Sequence, residues 1–249
     1  MNIMVFDTET TSIDKPFCYN IGYQIVDEKS FKPIVARDFV VEQVWHNPPL
    51  FYSAYYAEKR PLYVQRMRSR SVKMNKFGYI CQQMFRDIKR YGVTYAYAYN
   101  SAFDVKVFDF NCDWYKCLNP LDTLEVLDIR GFAHEFITKT DYFEFCEKNS
   151  LFTESGNYST TAESVYRFIS KDTGFKEEHT ALNDSIIETE ILKFAVDRGA
   201  ILTTNYVARR SIVRNVKKTL HIKTADGTEY SFDYEKFRIN KEKTEITLR

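Results

Sequence analysis

No apolar run in the 249 residues approaches the roughly 20 needed to cross a bilayer, so a membrane span is not expected. The chain enters Met4-Val5-Phe6-Asp7 directly. It lacks the charged start, long apolar stretch and cleavage site of a secretory signal, and a cytoplasmic location is expected. Cysteine is scarce as well: five residues, an odd set for so long a chain. That fits reduced thiols better than a disulfide framework. Internal repeats and low-complexity tracts are absent, and the length suits one large domain or one domain with an appendage. Net charge is nearly missing, with 35 Lys and Arg against 34 Asp and Glu. Taken as a sum, this argues against a nucleic-acid partner, but a sum does not locate the charges. A hydrophobic content of 44% is enough for a sizeable core and excludes wholesale disorder.

The charges are in fact segregated. From Lys59 to Arg90 ten basic residues face the single acid Asp87, a balance of +9. From Ile201 to Arg249 eleven basic residues face six acids, a balance of +5, which leaves −13 elsewhere. Basic stretches can hold phosphates and clustered carboxylates can hold divalent cations. The plain alternative for a charge run is a solvated helix face.

Residues 3–6 are apolar and short, followed by polar turn residues, and read as a first strand. Tyr19 to Val26 and Phe39 to Val44 are further strand candidates, rich in β-branched and aromatic residues. Asn47-Pro48-Pro49 breaks the chain. Phe77, Ile80, Cys81, Met84, Phe85 and Ile88 recur at helical spacing, and Gly92 ends that helix. Val93 to Tyr99 reads as a buried strand, Ala102 to Phe110 as a short helix and Leu118 to Asp122 as a short strand. From Thr123 to about Phe175 the pattern is mostly helical with loops, and Thr180 to Arg198 is a helix closed by Gly199. Beyond it, Thr219 to Thr224, Glu229 to Tyr234 and Thr244 to Leu248 read as strands, with a hairpin turn at Asp226-Gly227. The expected fold class is α/β, a mixed sheet flanked by helices over residues 1–199, with a small basic β-rich appendage over 200–249.

Three motifs carry candidate chemistry. Asp7 and Glu9 end the first strand and, two residues apart, project to one face. Buried carboxylates side by side repel, and a hard divalent cation turns that cost to use. Asp104 follows a buried strand in Asn100-Ser101-Ala102-Phe103-Asp104, near a strand end where α/β proteins tend to place sites. His179 and Asp184 straddle the entry to the late helix. Each motif alone has a plain structural explanation: exposed acids, a helix cap, or an acid answering a helix dipole.

In combination and in this order, Phe6-Asp7-Thr8-Glu9-Thr10-Thr11, Ala98-Tyr99-Asn100-Ser101-Ala102-Phe103-Asp104 and His179-Thr180-Ala181-Leu182-Asn183-Asp184 resemble the motif set of the DEDDh, or DnaQ-like, 3′→5′ exonucleases. Pro120-Leu121-Asp122-Thr123-Leu124 also resembles a segment usual between the second and third motifs. The resemblance covers about residues 1–198. Ser12 stands where that family usually has Gly, the basic Tyr-rich stretch 45–76 is longer than in a minimal member, and the appendage has no counterpart.

The resemblance implies an RNase H-like fold holding two divalent cations, Mg²⁺ with Mn²⁺ as substitute, on Asp7, Glu9, Asp104 and Asp184. It implies His179 as general base toward the attacking water. It also places Thr8, Thr10, Thr11 and Asn100 near the substrate strand. The expected reaction is 3′→5′ removal of 5′-mononucleotides from single-stranded DNA or frayed 3′ ends, as in proofreading. The alternatives are an RNA-trimming exoribonuclease, or a nucleic-acid-binding scaffold subunit of a replication complex. Tyr55, Tyr56 and Tyr63 among basic residues could stack unpaired bases, or they pack the first helix on the sheet. Phe103 is expected to pack under its helix rather than touch a base. The basic approach to the appendage, Arg209, Arg210, Arg214, Lys217 and Lys218, could extend a nucleic-acid track, contact a polymerase-like partner or form a self-association surface. Cys112-x4-Cys117 suggests zinc, but no second pair or suitable His follows and Trp114 lies between, so a structural zinc is not expected there.

Overall fold

A computed structural model describes residues 2–214, 218–223 and 229–234. A meander comes first: β1 (Asn2–Thr10), β2 (Cys18–Asp27) and β3 (Pro33–Val41) pair antiparallel in sequence order. The chain then runs through two short helices, α1 (Glu42–Trp45) and α2 (Pro48–Phe51), a 3₁₀ turn at Ala57–Lys59 and α3 (Arg60–Arg68). The short strand β4 (Lys73–Asn75) joins the outer edge of β3 in parallel. After α4 (Phe77–Tyr91), β5 (Val93–Ala98) crosses over to pair in parallel with β1, and after α5 (Ser101–Tyr115), β6 (Glu125–Asp128) pairs in parallel with β5. The sheet order is β4-β3-β2-β1-β5-β6. Four helices complete the fold: α6 (Ile129–Phe136), α7 (Thr140–Asn149), α8 (Ala162–Ser170) and α9 (Ala181–Asp197).

Both faces of the sheet are covered, so the strands alternate between two cores rather than between core and water. Along β1, Met4 and Phe6 join the core under α4 and α5, whereas Ile3 and Val5 join the core under α6 to α9. By the same alternation Asp7 and Glu9 fall on the α9 side. In β2, Tyr19, Ile21, Tyr23 and Ile25 fill the first core. Their alternates Asn20, Gly22 and Gln24 form a rail beneath α9. Asn20 Oδ1 accepts from the backbone N–H of Ala181 at 2.8 Å, satisfying an otherwise unpaired donor at the helix start. Gln24 donates from Nε2 to Thr189 Oγ1 at 2.6 Å. Between them Gly22 lets the backbones touch: a Cβ there would lie 2.0 Å from the Leu182 nitrogen.

Residues 200–214 pack on the α6–α7 side. Tyr206 sits edge-on to Phe132 and Phe136, with ring centroids 4.8 and 5.0 Å away. Gly131 makes room for it, since a Cβ there would lie 1.7 Å from the Tyr206 carbonyl oxygen. The Arg209 N–H donates to His134 Nδ1 at 2.9 Å, and Ile212 bridges Tyr158. β7 (Lys218–Lys223) and β8 (Glu229–Tyr234) pair antiparallel. The expected turn at Asp226-Gly227 and the strand at Thr244 to Leu248 lie outside the described residues.

Three element boundaries differ from expectation. The third strand stops at Val41, and Glu42–Trp45 turn into α1, burying Val44 and Trp45. α5 runs to Tyr115 instead of Phe110, because its last turn continues to bury Asn111 and Cys112. Residues 118–122 are not a strand: Pro120 starts a 3₁₀ turn whose entry is capped by the Asn119 side chain, and the strand follows at Glu125–Asp128. Among the described residues no helix is long and apolar enough to cross a membrane.

Gly22→Ala is expected to cost on the order of 2 kcal/mol or more, because the clash is with backbone and α9 must lift. Urea unfolding at fixed pH measures it. A loss below a few tenths would mean that α9 does not lie against β2 as described.

Candidate active site

The end of β1, the first turn of α5 and the first two turns of α9 converge. Asp104 and Glu188 are each 3% exposed, Asp184 8% and Glu9 9%, while Asp7 is half-buried. Thr8 holds Asp104 in place with its backbone N–H at 3.1 Å and its hydroxyl at 2.6 Å, both donating to Oδ1. Tyr19 donates to Glu9 at 3.4 Å, and the Tyr99 backbone N–H donates to Glu188. Glu9, His179 and Asp184 bring donor atoms within 4.8 Å of one another. Asp7 feels the charges of Glu9, Asp104 and Asp184, so the four expected carboxylates share one pocket.

Burial is the largest cause pushing each of these carboxyls upward, and mutual repulsion adds to it. Asp7 is raised by burial first, then by Asp104, Glu188, Asp184 and Glu9. Glu9 rises by burial and by Asp184, and Glu188 by burial and by Asp104 and Asp184. Asp104 is pushed up to about 7 and Asp184 to about 8, again chiefly by burial. Asp184 Oδ1 and Glu188 Oε2 are buried without a hydrogen-bond partner. Unsatisfied oxygens in a concentrated negative pocket, with one imidazole and no thiolate beside them, are the donor set of a hard divalent cation.

His179 adopts a left-handed backbone, φ 50°. Its ring stacks on Tyr56 at 4.3 Å and 13°, and its Nδ1 lies 3.7 Å from Glu177 Oε2. Burial first and the Lys59 charge second lower its pKa, which favours the neutral imidazole. The segment before α9 is clasped from the basic stretch. Lys59 donates to the Glu178 carbonyl, and Arg66 bonds Glu178 Oε2 at 2.7 Å and Thr180 Oγ1 at 3.2 Å. Lys59 also faces Glu9 and Asp184 electrostatically.

The expected substrate-side residues divide. Thr8 spends its hydroxyl on Asp104 and is buried, which makes it a support for that carboxylate. Thr11 is buried, with its N–H bonded to Phe17 O, whereas the Thr10 hydroxyl at the strand end donates to Ser12 O at 3.2 Å. Asn100 is exposed in a left-handed conformation, φ 66°, its N–H held by Asp128 Oδ1 at 2.8 Å. Its side chain makes no cap bond. Tyr63 is fully buried and bonds Asn20, Tyr55 is 86% exposed, and Phe103 packs against the core. Glu188 and Glu177 are additions. Glu188 stands one turn after Asp184, a spacing that puts both on one helix face. Glu177 lies two residues before His179 but had no motif to mark it.

No protein-family model matches the chain, and no curated protein sequence does. Solved structures do. A 3′-exonuclease that recognises the 3′ end of a histone mRNA stem-loop aligns with a TM-score of 0.55 at 11% identity, over 93% of this chain and 70% of that one. The nuclease domain of 3′hExo, a DEDDh family member bound to rAMP, aligns with 0.53 at 11%, over 82% and 96%. E. coli exonuclease I with a dT13 oligonucleotide aligns with 0.52 at 15%, over 79% of this chain and 41% of that one. The chain shares its fold with these exonuclease structures.

The raised carboxyls dictate a pH response. The folded state holds protons on Asp104 and Asp184 more tightly than the unfolded state does. Their stabilising contribution is complete below about pH 4 and is lost as pH rises toward about 7 and 8. The metal-free protein is expected to melt at lower temperature near pH 8 than near pH 5, and Mg²⁺ is expected to raise the melting temperature far more at the higher pH. Glu188→Gln is expected to stabilise the metal-free protein at pH 8 and to shrink the Mg²⁺ shift. Differential scanning calorimetry across pH, with and without Mg²⁺, tests both.

Proposed function

We propose that this protein is a divalent-metal-dependent 3′→5′ exonuclease that hydrolyses single-stranded or frayed DNA 3′ ends to 5′-mononucleotides. One observation carries this function: in a fold shared with DEDDh exonucleases, Asp7, Glu9, Asp104 and Asp184 converge with His179 beside them. These four carboxylates, with Glu188 behind them, would hold two Mg²⁺ ions, for which Mn²⁺ can substitute. When bound, the ions neutralise the pocket and stabilise charge on the attacking and leaving oxygens.

The chain's own groups supply the rest. His179 accepts a proton from the attacking water as the new O–P bond forms. The bond between the phosphorus of the terminal nucleotide and O3′ of the penultimate nucleotide opens, and that departing oxygen, the new 3′ end of the shortened strand, is protonated from solvent. Glu177, with Oε2 3.7 Å from Nδ1, orients the ring by charge. The Tyr56 stack holds the ring plane, and burial, with the Lys59 charge second, favours the neutral imidazole. Thr10 and Asn100 stand at the mouth as contacts for the terminal nucleotide. Residues 1–199 form the nuclease unit, and exposed Arg209 and Arg210 lead a nucleic-acid track toward the appendage of residues 200–249.

RNA is a second substrate class, because two of the aligned structures concern an mRNA stem-loop and rAMP. Filled catalytic positions argue against a purely binding role. Matched DNA and RNA oligomers, labelled at the 3′ or the 5′ end and digested with Mg²⁺ or Mn²⁺, separate these possibilities. The expected result is immediate loss of 3′ label as mononucleotide, with a ladder from 5′-labelled DNA. Asp7→Ala is expected to abolish this, and His179→Ala to lower kcat by about 10²- to 10⁴-fold. Binding without cleavage on every substrate would make the protein a scaffold.

A further inference from the structure

On the opposite face of the sheet, three thiols meet. Cys81 comes from the second turn of α4 and Cys112 from the last turn of α5. Lys116, in a left-handed conformation at φ 54°, folds the chain back so that the Cys117 N–H bonds Cys112 O at 3.1 Å. The Cys117 side chain thereby returns beside Cys112. All three Sγ atoms lie within 4.8 Å of one another, Cys81 and Cys112 being 1% and 6% exposed and Cys117 half-buried.

We propose that Cys81, Cys112 and Cys117 form a three-thiolate site for a thiophilic divalent cation, zinc in the first instance. Sulfurs around a tetrahedral zinc with Zn–S bonds of ~2.3 Å stand about 3.8 Å apart, within the measured spread. The thiols already interact with one another: Cys81 and Cys112 share a hydrogen bond. The fourth coordination position lies on the Cys117 side, which is open to solvent, so an exogenous ligand completes the shell. The sequence motif Cys112-x4-Cys117 argued against zinc because no partner follows it. The partner precedes it by a whole helix and strand, and only the packing of α4 on α5 brings it in. Binding there would clamp α4 to the C-terminal end of α5, the helix whose first turn carries Asp104. Eight residues separate Cys112 from Asp104, about 12 Å along the axis.

Cobalt titration of the reduced full-length chain tests the site, because carboxylates and imidazole give no thiolate-to-cobalt charge-transfer band. One equivalent should produce that band, zinc should displace it, and zinc should protect Cys117, the accessible thiol of the three, from alkylation. Cys117→Ala, which changes the most exposed of the three, should remove the band while Mg²⁺ binding persists. Absence of the band in reduced wild-type protein overturns the site, as does a band that survives Cys117→Ala. A disulfide among the three in non-reducing mass spectrometry of freshly purified protein overturns it in favour of redox pairing. The wild-type titration stands even where the variant fails to fold.

Discussion

The contact of α9 with β2 determines what the rest of the molecule can do. Asn20, Gly22 and Gln24 occupy alternate positions on one strand, and each performs a different task for the same helix. One caps its start, one clears its path and one pins its third turn. With the helix so placed, Asp184 and Glu188 stand over the strand next door, where Asp7 pairs in register with Gly22. Asp104 arrives independently at the start of α5 and is locked to β1 through Thr8. Two rigid seams, not loops, therefore set the geometry of the carboxylates.

Such a cluster is electrostatically uphill, and the surrounding charges show how the fold tolerates it. The basic stretch that looked like a nucleic-acid patch is partly committed to structure. Arg66 is paired with Glu178 and Asp38, Arg60 lies over Trp45 at 4.0 Å, and Lys59 faces Glu9 and Asp184. Its positive charge thus first restrains the segment carrying His179. Arg68, Arg70 and Lys73 in the same stretch are solvent-exposed. The overall balance of +1 is the residue of this local compensation.

Much of the site was legible because its chemistry is local. Asp7 and Glu9 share a strand face, and Asp104 and His179 with Asp184 each sit at a helix entry that cap and turn signals mark. The regular helices were legible for the same reason, since Phe77 to Ile88 repeat at helical spacing. What escaped depends on contacts far apart in sequence. Glu188 is one turn from Asp184, yet its burial depends on β5 delivering the Tyr99 N–H. Tyr56 and Tyr63 look alike in a Tyr-rich run, but only the packing sends one to His179 and the other to Asn20. The misplaced strand at 118–122 has a local cause, since apolar Leu118 and Leu121 outweighed a proline that fixes a turn.

Gly131 and Tyr206 bear on where the folded layer ends. The chain after α9 is threaded into a notch in α6 that only a residue without a side chain provides, and it remains attached through Ile212. A shortened protein cut at residue 199 would leave that notch and the edges of Phe132 and Phe136 open to water. Among the described residues, the folded layer therefore continues past α9 to about Ile212.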